Sequence, residues 1–173
     1  MSQKGILLVG NAGKGKSTTG NCLHNQSSDE NQILYEPFQT SNTAKSCTQE
    51  AKIVESSNFK IIDTVGFADP TKTSEECLKN MTDAINKVDN KIDLIIYVFH
   101  KDRFKNDDVE FLKLNMNYLK NKLPNSNSLV LINKCYKGWI ETKCKTNRDL
   151  NNAIHNCNGN YFEFRVNNTQ SRL

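Results

Sequence analysis

The chain has 173 residues, with 23 basic against 19 acidic side chains and a formal net charge of +4, a length that suits one domain with a sizeable core. Its lysines are scattered among acids and asparagines and form no stripe, which argues against nucleic acid as a partner. No apolar run approaches the roughly 20 residues that cross a bilayer, and the six cysteines show neither a C-x-x-C pair nor zinc-ligand spacing, as expected of free thiols in a reducing, cytoplasmic compartment.

Ser2, Gln3 and Lys4 lead directly into Ile6, Leu7, Leu8 and Val9, so no signal peptide is expected; the apolar run is of the kind shown by a strand buried on both faces, and Gly10 ends it. A helix is expected from Ser17 to about His24, followed by a polar stretch, Asn25 to Thr48, that reads as a long loop. Ala51 to Val54 and Phe59 to Ile62, separated by ESSN, read as a hairpin. Leu78, Met81, Ile85 and Val88 recur at helical spacing, and "IDLIIYVF", Ile92 to Phe99, is the next strand. Val109, Leu112, Met116 and Leu119 mark a helix that ends before Pro124. "LVLIN", Leu129 to Asn133, is a buried strand; Leu150, Ile154 and Cys157 mark a helix, and "YFEFR" from Tyr161 is the last strand. This alternation predicts an α/β fold over residues 1–173, a single domain with a mostly parallel central sheet, one antiparallel hairpin strand and helices on both faces.

Chemistry is concentrated where strands end. Gly10 to Ser17 fits G-x-x-x-x-G-K-S, the phosphate-binding loop (P-loop), immediately after a strand and before a helix. Glycines let several backbone N–H groups turn inward, Lys16 sets a cation against the outer phosphates, and Ser17 offers a hydroxyl to Mg2+. The expected nucleotide ligands are therefore Gly10, Asn11, Ala12, Gly13, Lys14, Gly15, Lys16, Ser17 and Thr18, with the helix N-terminus adding partial positive charge. "DTVG", Asp63 to Gly66, follows the second hairpin strand, and Asn133-Lys134 follows "LVLI". A P-loop, then D-x-x-G, then N-K is the layout of a G domain. Asp63 is expected to hold Mg2+ through water, and the Gly66 N–H to read the γ-phosphate. Trp139 reads as an anchor packing its loop in preference to a base-stacking ring, and His100 as a loop histidine.

At "GKSTTGNCL", Gly15 to Leu23, the sequence resembles the G-K-S-x-T-G-N-x-x-L of the AIG-type GTPases, also called immunity-associated nucleotide-binding proteins or GIMAPs, relatives of the chloroplast Toc receptors and septins. Thr19-Gly20-Asn21 separates this group from Ras-like proteins. "IIDTVGFAD" is similar to I-D-T-P-G-L/F-x-D, with Val65 in place of Pro; "RFKNDD", Arg103 to Asp108, resembles the family's R-[FY]-[ST]-x-[ED]-[ED] box; and "CNGNYFEFRVNN", Cys157 to Asn168, resembles its fifth box, C-G-x-R-x-x-x-F-N-N.

The resemblance implies a P-loop G domain that binds GTP or GDP with Mg2+. It implies a slow GTPase acting as a nucleotide-dependent association switch, which pairs as a homodimer through its nucleotide face. Arg103, beyond the strand end at Phe99, is then either a surface charge paired with Asp107 or Asp108, or a catalytic group reaching the partner's phosphates beside Lys16. Departures are equally specific. A second-box Thr normally binds Mg2+, but aligning on Lys45 and Cys47 puts Ala44 there, with Thr43 beside it as the candidate ligand. The fourth box continues as Cys135-Tyr136-Lys137 without the carboxylate that normally accepts two hydrogen bonds from guanine, which leaves the base to Asn133, Lys134, Asn167 and Asn168. Phe67 stands where many GTPases place a Gln that orients water. The chain stops just past the fifth box, where the family continues into a packing helix, so a shortened member with part of its sheet uncovered is expected. Two alternatives remain open from these departures: a catalytically inactive nucleotide-binding scaffold, or an ATP-using P-loop enzyme.

Overall fold

The apolar run that begins at Ile6 forms the middle of a six-stranded sheet. The computed structural model describes residues 3–26, 36–40, 49–69 and 71–164. In chain order the elements are β1 (Lys4–Val9), α1 (Lys16–Gln26), β2 (Lys52–Glu55), β3 (Phe59–Asp63), α2 (Ser74–Lys87), β4 (Leu94–His100), a 3-10 turn (Lys101–Arg103), α3 (Asn106–Lys122), β5 (Asn127–Asn133), α4 (Trp139–Thr146), α5 (Arg148–Asn156) and β6 (Tyr161–Phe164). The strand order is β2-β3-β1-β4-β5-β6, with only the β2–β3 pair antiparallel.

Period-2 alternation sorts the central strands into two cores. Leu7, Val9, Ile62, Ile95, Tyr97, Phe99, Val130 and Ile132 pack with Met81 and Ile85 of α2, Leu112 and Leu119 of α3, Ile140 of α4 and Leu150 and Ile154 of α5. The residues between them, Ile6, Leu8, Ile61, Ile96, Val98 and Leu131, face the other way with Phe38, and Leu23 of α1 packs against them. On that second face Leu94, Leu129 and Phe164 are only half-buried, and Phe162, two residues before Phe164 on β6, is exposed.

Local chemistry sets the helix and strand ends. Thr73 Oγ1 accepts from the Glu76 N–H at 3.2 Å while Glu76 Oε2 accepts from the Thr73 N–H at 2.7 Å, a reciprocal cap that starts α2. These hydrogen bonds hold the Glu76 carboxyl below its ordinary range. Asp93, just before β4, accepts from Lys4 Nζ at 2.9 Å and from the Gly5 N–H at 2.8 Å, pinning the start of β1; Lys4 and that N–H keep its carboxyl below its usual value.

Three details differ from the sequence reading. His100 is the last residue of β4, buried and paired across from Asn133, instead of lying in a loop. α1 runs on to Gln26, past Asn25, where the loop was expected to start. An additional short helix, α4, precedes α5; it carries only Trp139 and Ile140 as buried residues, too little periodicity to announce itself.

Candidate nucleotide site

Parallel strands deliver the functional loops to one edge of the sheet. β1 ends in the loop Gly10–Gly15, β3 ends in Asp63 and β5 ends in Asn133, so three stretches distant in sequence meet beyond the carboxyl ends of neighbouring strands. The contact is direct: Asn133 Nδ2 donates to the Lys14 carbonyl at 2.9 Å. Gly15 permits this approach. Its φ is +96°, and a Cβ there would stand 2.4 Å from Asn133 Nδ2.

The phosphate loop is also paired with the D-x-x-G loop. The Ala12 N–H donates to the Phe67 carbonyl at 2.8 Å, the Phe67 N–H donates to the Gly10 carbonyl at 3.3 Å, and Gly66 lies against Ala12. Phe67 is buried, its ring tilted against Phe111 with centroids 4.9 Å apart. Thr64 fixes the strand end from below by donating its hydroxyl to the Leu8 carbonyl at 2.7 Å.

Lys16 is buried at the start of α1, and its ammonium donates to the carbonyls of Gly10 and Asn11 at 3.1 and 3.3 Å. Burial pushes its pKa below the ordinary lysine value, opposed by the nearby Asp63 carboxylate. Ser17 Oγ donates to Asp63 Oδ2 at 2.6 Å. These two hard oxygens, one from a helix start and one from a strand end, converge as a Mg2+ site requires, and the residues present fit that ion. Thr18 follows on the first turn of α1.

The other residues named from the sequence are placed as follows. Lys14 does not face the phosphate cradle with its side chain: Nζ pairs with Asp108 Oδ2 at 2.7 Å, both groups being buried. Asp108, offered from sequence with Asp107 as a partner for Arg103, has both oxygens bonded to the phosphate loop and its own helix start: Oδ1 accepts from Asn11 Nδ2 at 2.7 Å, and Oδ2 also accepts from the Lys105 N–H at 2.8 Å. Arg103 ends the 3-10 turn, with its side chain outside what the structure describes. Thr43, Ala44, Lys45 and Cys47 of the second box, and Asn167 and Asn168 of the fifth, lie outside the described residues.

The Thr19-Gly20-Asn21 signature acquires a physical role. Asn21 grips Phe38 by its backbone, Nδ2 donating to the Phe38 carbonyl and Oδ1 accepting from the Phe38 N–H, each at 2.9 Å. A Cβ on Gly20 would stand 2.8 Å from the Phe38 ring, and Thr19 Oγ1 donates back to the Gly15 carbonyl at 2.9 Å. The signature therefore seats an aromatic anchor under α1 and steadies the end of the phosphate loop.

At the base end, Lys134 has a left-handed φ of +57° and Cys135 is buried. Tyr136, third after Asn133 counting inclusively from Lys134, is 56% exposed, with Lys101 Nζ 4.9 Å from its ring centroid. Trp139 is buried, edge-on to Phe104 at 6.1 Å, so it packs its loop as expected. Glu163 of β6 holds the start of α4, accepting from the Gly138 and Ile140 N–H groups at 2.7 and 2.8 Å. No local pattern in the sequence singles out Glu163, nor the contact of Asn21 with Phe38.

The model of the AIG1 family matches residues 4–172. The chain belongs to the AIG1 family. Among solved structures, a glycine-to-proline variant of SsGBP is similar to this AIG1-family chain at 18% identity and a TM-score of 0.52, covering 94% of this chain and 49% of that one. A glycine-to-serine variant of the same protein gives 17% identity and a TM-score of 0.48, over 95% and 48% of the two chains. The chain thus spans about half the length of the solved structures it matches, and the first likeness bears on the fold. No curated protein matches this AIG1-family chain.

Proposed function

We propose that residues 1–173 form one AIG-type G domain that binds guanine nucleotide with Mg2+ in the cytoplasm, hydrolyses GTP slowly and associates with a second copy through its nucleotide face when GTP is bound. The observation that carries this reading is the convergence of Lys16, Ser17 and Asp63 on the phosphate loop, with Ser17 and Asp63 oxygens 2.6 Å apart. Lys16 exchanges two carbonyls for phosphate oxygens, and the N–H groups of the glycine-rich loop and the start of α1, through Thr18, supply further donors. Mg2+, when bound, would supply positive charge against the phosphates. Ser17, Asp63 and, in this reading, Thr43 hold it. In this reading Asn133, Lys134 and Asn167 bind the base, and Asn133 also braces Lys14.

Slow turnover follows from Phe67, whose buried ring offers no group to orient water. In this reading Arg103 of a second copy supplies the missing charge in trans, an effect of about a thousandfold or more where it operates. The same buried Phe67 favours a second reading, a scaffold that binds nucleotide without turnover. Calorimetric titration of GTP, GDP and ATP, each with and without Mg2+, joined to phosphate-release measurements over a range of protein concentrations, tests both. The expected result is Mg2+-dependent GTP binding and release per molecule that rises with concentration. Binding without release selects the scaffold, and failure to bind any of the three overturns the assignment.

A further inference from the structure

Asp108 is 1% exposed and stands in the first turn of α3, yet the groups it satisfies lie 97 and 94 residues away, in the phosphate loop. Its carboxylate receives Asn11 Nδ2 and Lys14 Nζ at 2.7 Å and the Lys105 N–H at 2.8 Å. A buried carboxylate with a charged partner and two further donors is held in a single orientation.

The segment just before it faces the opposite way. Lys101 lies over the Tyr136 ring, and Phe104 meets Trp139 edge-on. Both aromatic partners belong to the loop and helix start that follow Asn133. The stretch from Lys101 to Asp108 therefore touches the phosphate loop at one end and the base-side loop at the other.

We propose that Asp108 is a positioning residue that seats the Lys101–Asp108 segment on the phosphate loop, making this segment a bridge by which phosphate occupancy sets the placement of Tyr136 and Trp139. The inference rests on the nucleotide reading above. A phosphate group that reshapes the backbone from Asn11 to Lys14 moves the donors of Asp108, and the carboxylate carries the start of α3 and the preceding turn with them. An ion pair that merely stabilised α3 would leave Trp139 indifferent to phosphate.

The chain has one tryptophan, so Trp139 emission reports the Phe104 contact directly. The probe is magnesium tripolyphosphate, which has no base to touch the Tyr136 loop, titrated into the full chain by fluorescence and calorimetry with GTP in parallel. In the parent, saturation is expected to change Trp139 emission. Asp108→Asn keeps the side-chain shape and removes a negative charge from beside the phosphate loop. It is expected to bind tripolyphosphate at least as tightly as the parent but to lose about two-thirds or more of the emission change. Phe104→Leu, which leaves the carboxylate untouched, is expected to lose the emission change with affinity unaltered; it decides the matter if Asp108→Asn does not fold. An undiminished emission change in either folded variant overturns the bridge, as does a parent that binds tripolyphosphate by calorimetry with no response from Trp139. A parent that binds neither tripolyphosphate nor GTP overturns the nucleotide reading itself, and the bridge with it.

Discussion

The loop from Gly10 to Gly15 is gripped from three sides, by Asp108 of α3, by Asn133 of β5 and by the Phe67 backbone, whereas the loop from Lys134 to Gly138 exposes Tyr136 and is secured mainly at its far end by Glu163. Both loops leave the same edge of the same sheet. The difference is one of tolerance: a loop that binds phosphate gains from being fixed in advance, while on the base-side loop the exposed Tyr136 can change with little effect on the core, although Cys135 beside it is buried there. It is on this looser loop that the chain reads Cys135-Tyr136-Lys137, without the expected carboxylate.

The comparison breaks most visibly at Gly15. Gly15→Ala puts a methyl group at a positive φ and against Asn133 Nδ2, so it is expected to cost about 2–4 kcal/mol of stability and to remove nucleotide binding. Urea denaturation and calorimetry check both, and parental behaviour would show that the phosphate loop has slack. Lys16→Ala separates function from stability within the same loop. Nucleotide affinity is expected to fall about a hundredfold, or about 2.7 kcal/mol. Its melting temperature is nevertheless expected to match or exceed the parent's, because the buried ammonium, with its lowered pKa, is costly to keep charged.

On the loose side, Tyr136→Asp is expected to raise the preference for GTP over ATP about tenfold while leaving stability within about 0.5 kcal/mol, as measured by competition titration and thermal melting. An unchanged preference would place base selection elsewhere. The smallest effect belongs to the opposite edge of the sheet, where Asp93 holds Lys4 and the Gly5 N–H. Its folded pKa lies below the ordinary 3.8, so its contribution is present above that value and is lost as pH falls through the lower, folded value. Being 41% exposed, the pair is screened, and Asp93→Asn is expected to remove about 0.5 kcal/mol or less at neutral pH.

The phosphate loop, Asp63 and the Asn133 position were legible because each is a short pattern read at the end of an apolar run. The mostly parallel sheet, its one antiparallel hairpin strand and helices α1, α2, α3 and α5 followed from the same alternation; the order of the strands did not. What escaped reading depends on partners far along the chain. Asn133 reaches Lys14 across 119 residues, and Lys14 reaches Asp108 across 94. Nothing local to "KGK" says that the first lysine pairs with Asp108 while the second donates to the Gly10 and Asn11 carbonyls. The Thr19-Gly20-Asn21 signature could be recognised from sequence, but its reason could not, because Phe38 lies beyond a stretch without periodicity. His100 was placed in a loop because its polarity hid the last rung of β4, which only pairing with Asn133 reveals.

Strand order also bears on how the molecule is made. β1 is synthesised before both of its neighbours, β3 and β4, which lie at residues 59–63 and 94–97. It therefore stays unpaired until residue 63 is made and lacks its second partner until residue 97 is made. Folding dominated by such distant pairings is slow, on a scale of about milliseconds to seconds. During this interval the apolar segment that carries the phosphate motif is exposed surface of the kind that favours aggregation. A fragment ending at α1 would contain every letter of that motif and none of the architecture that shapes it.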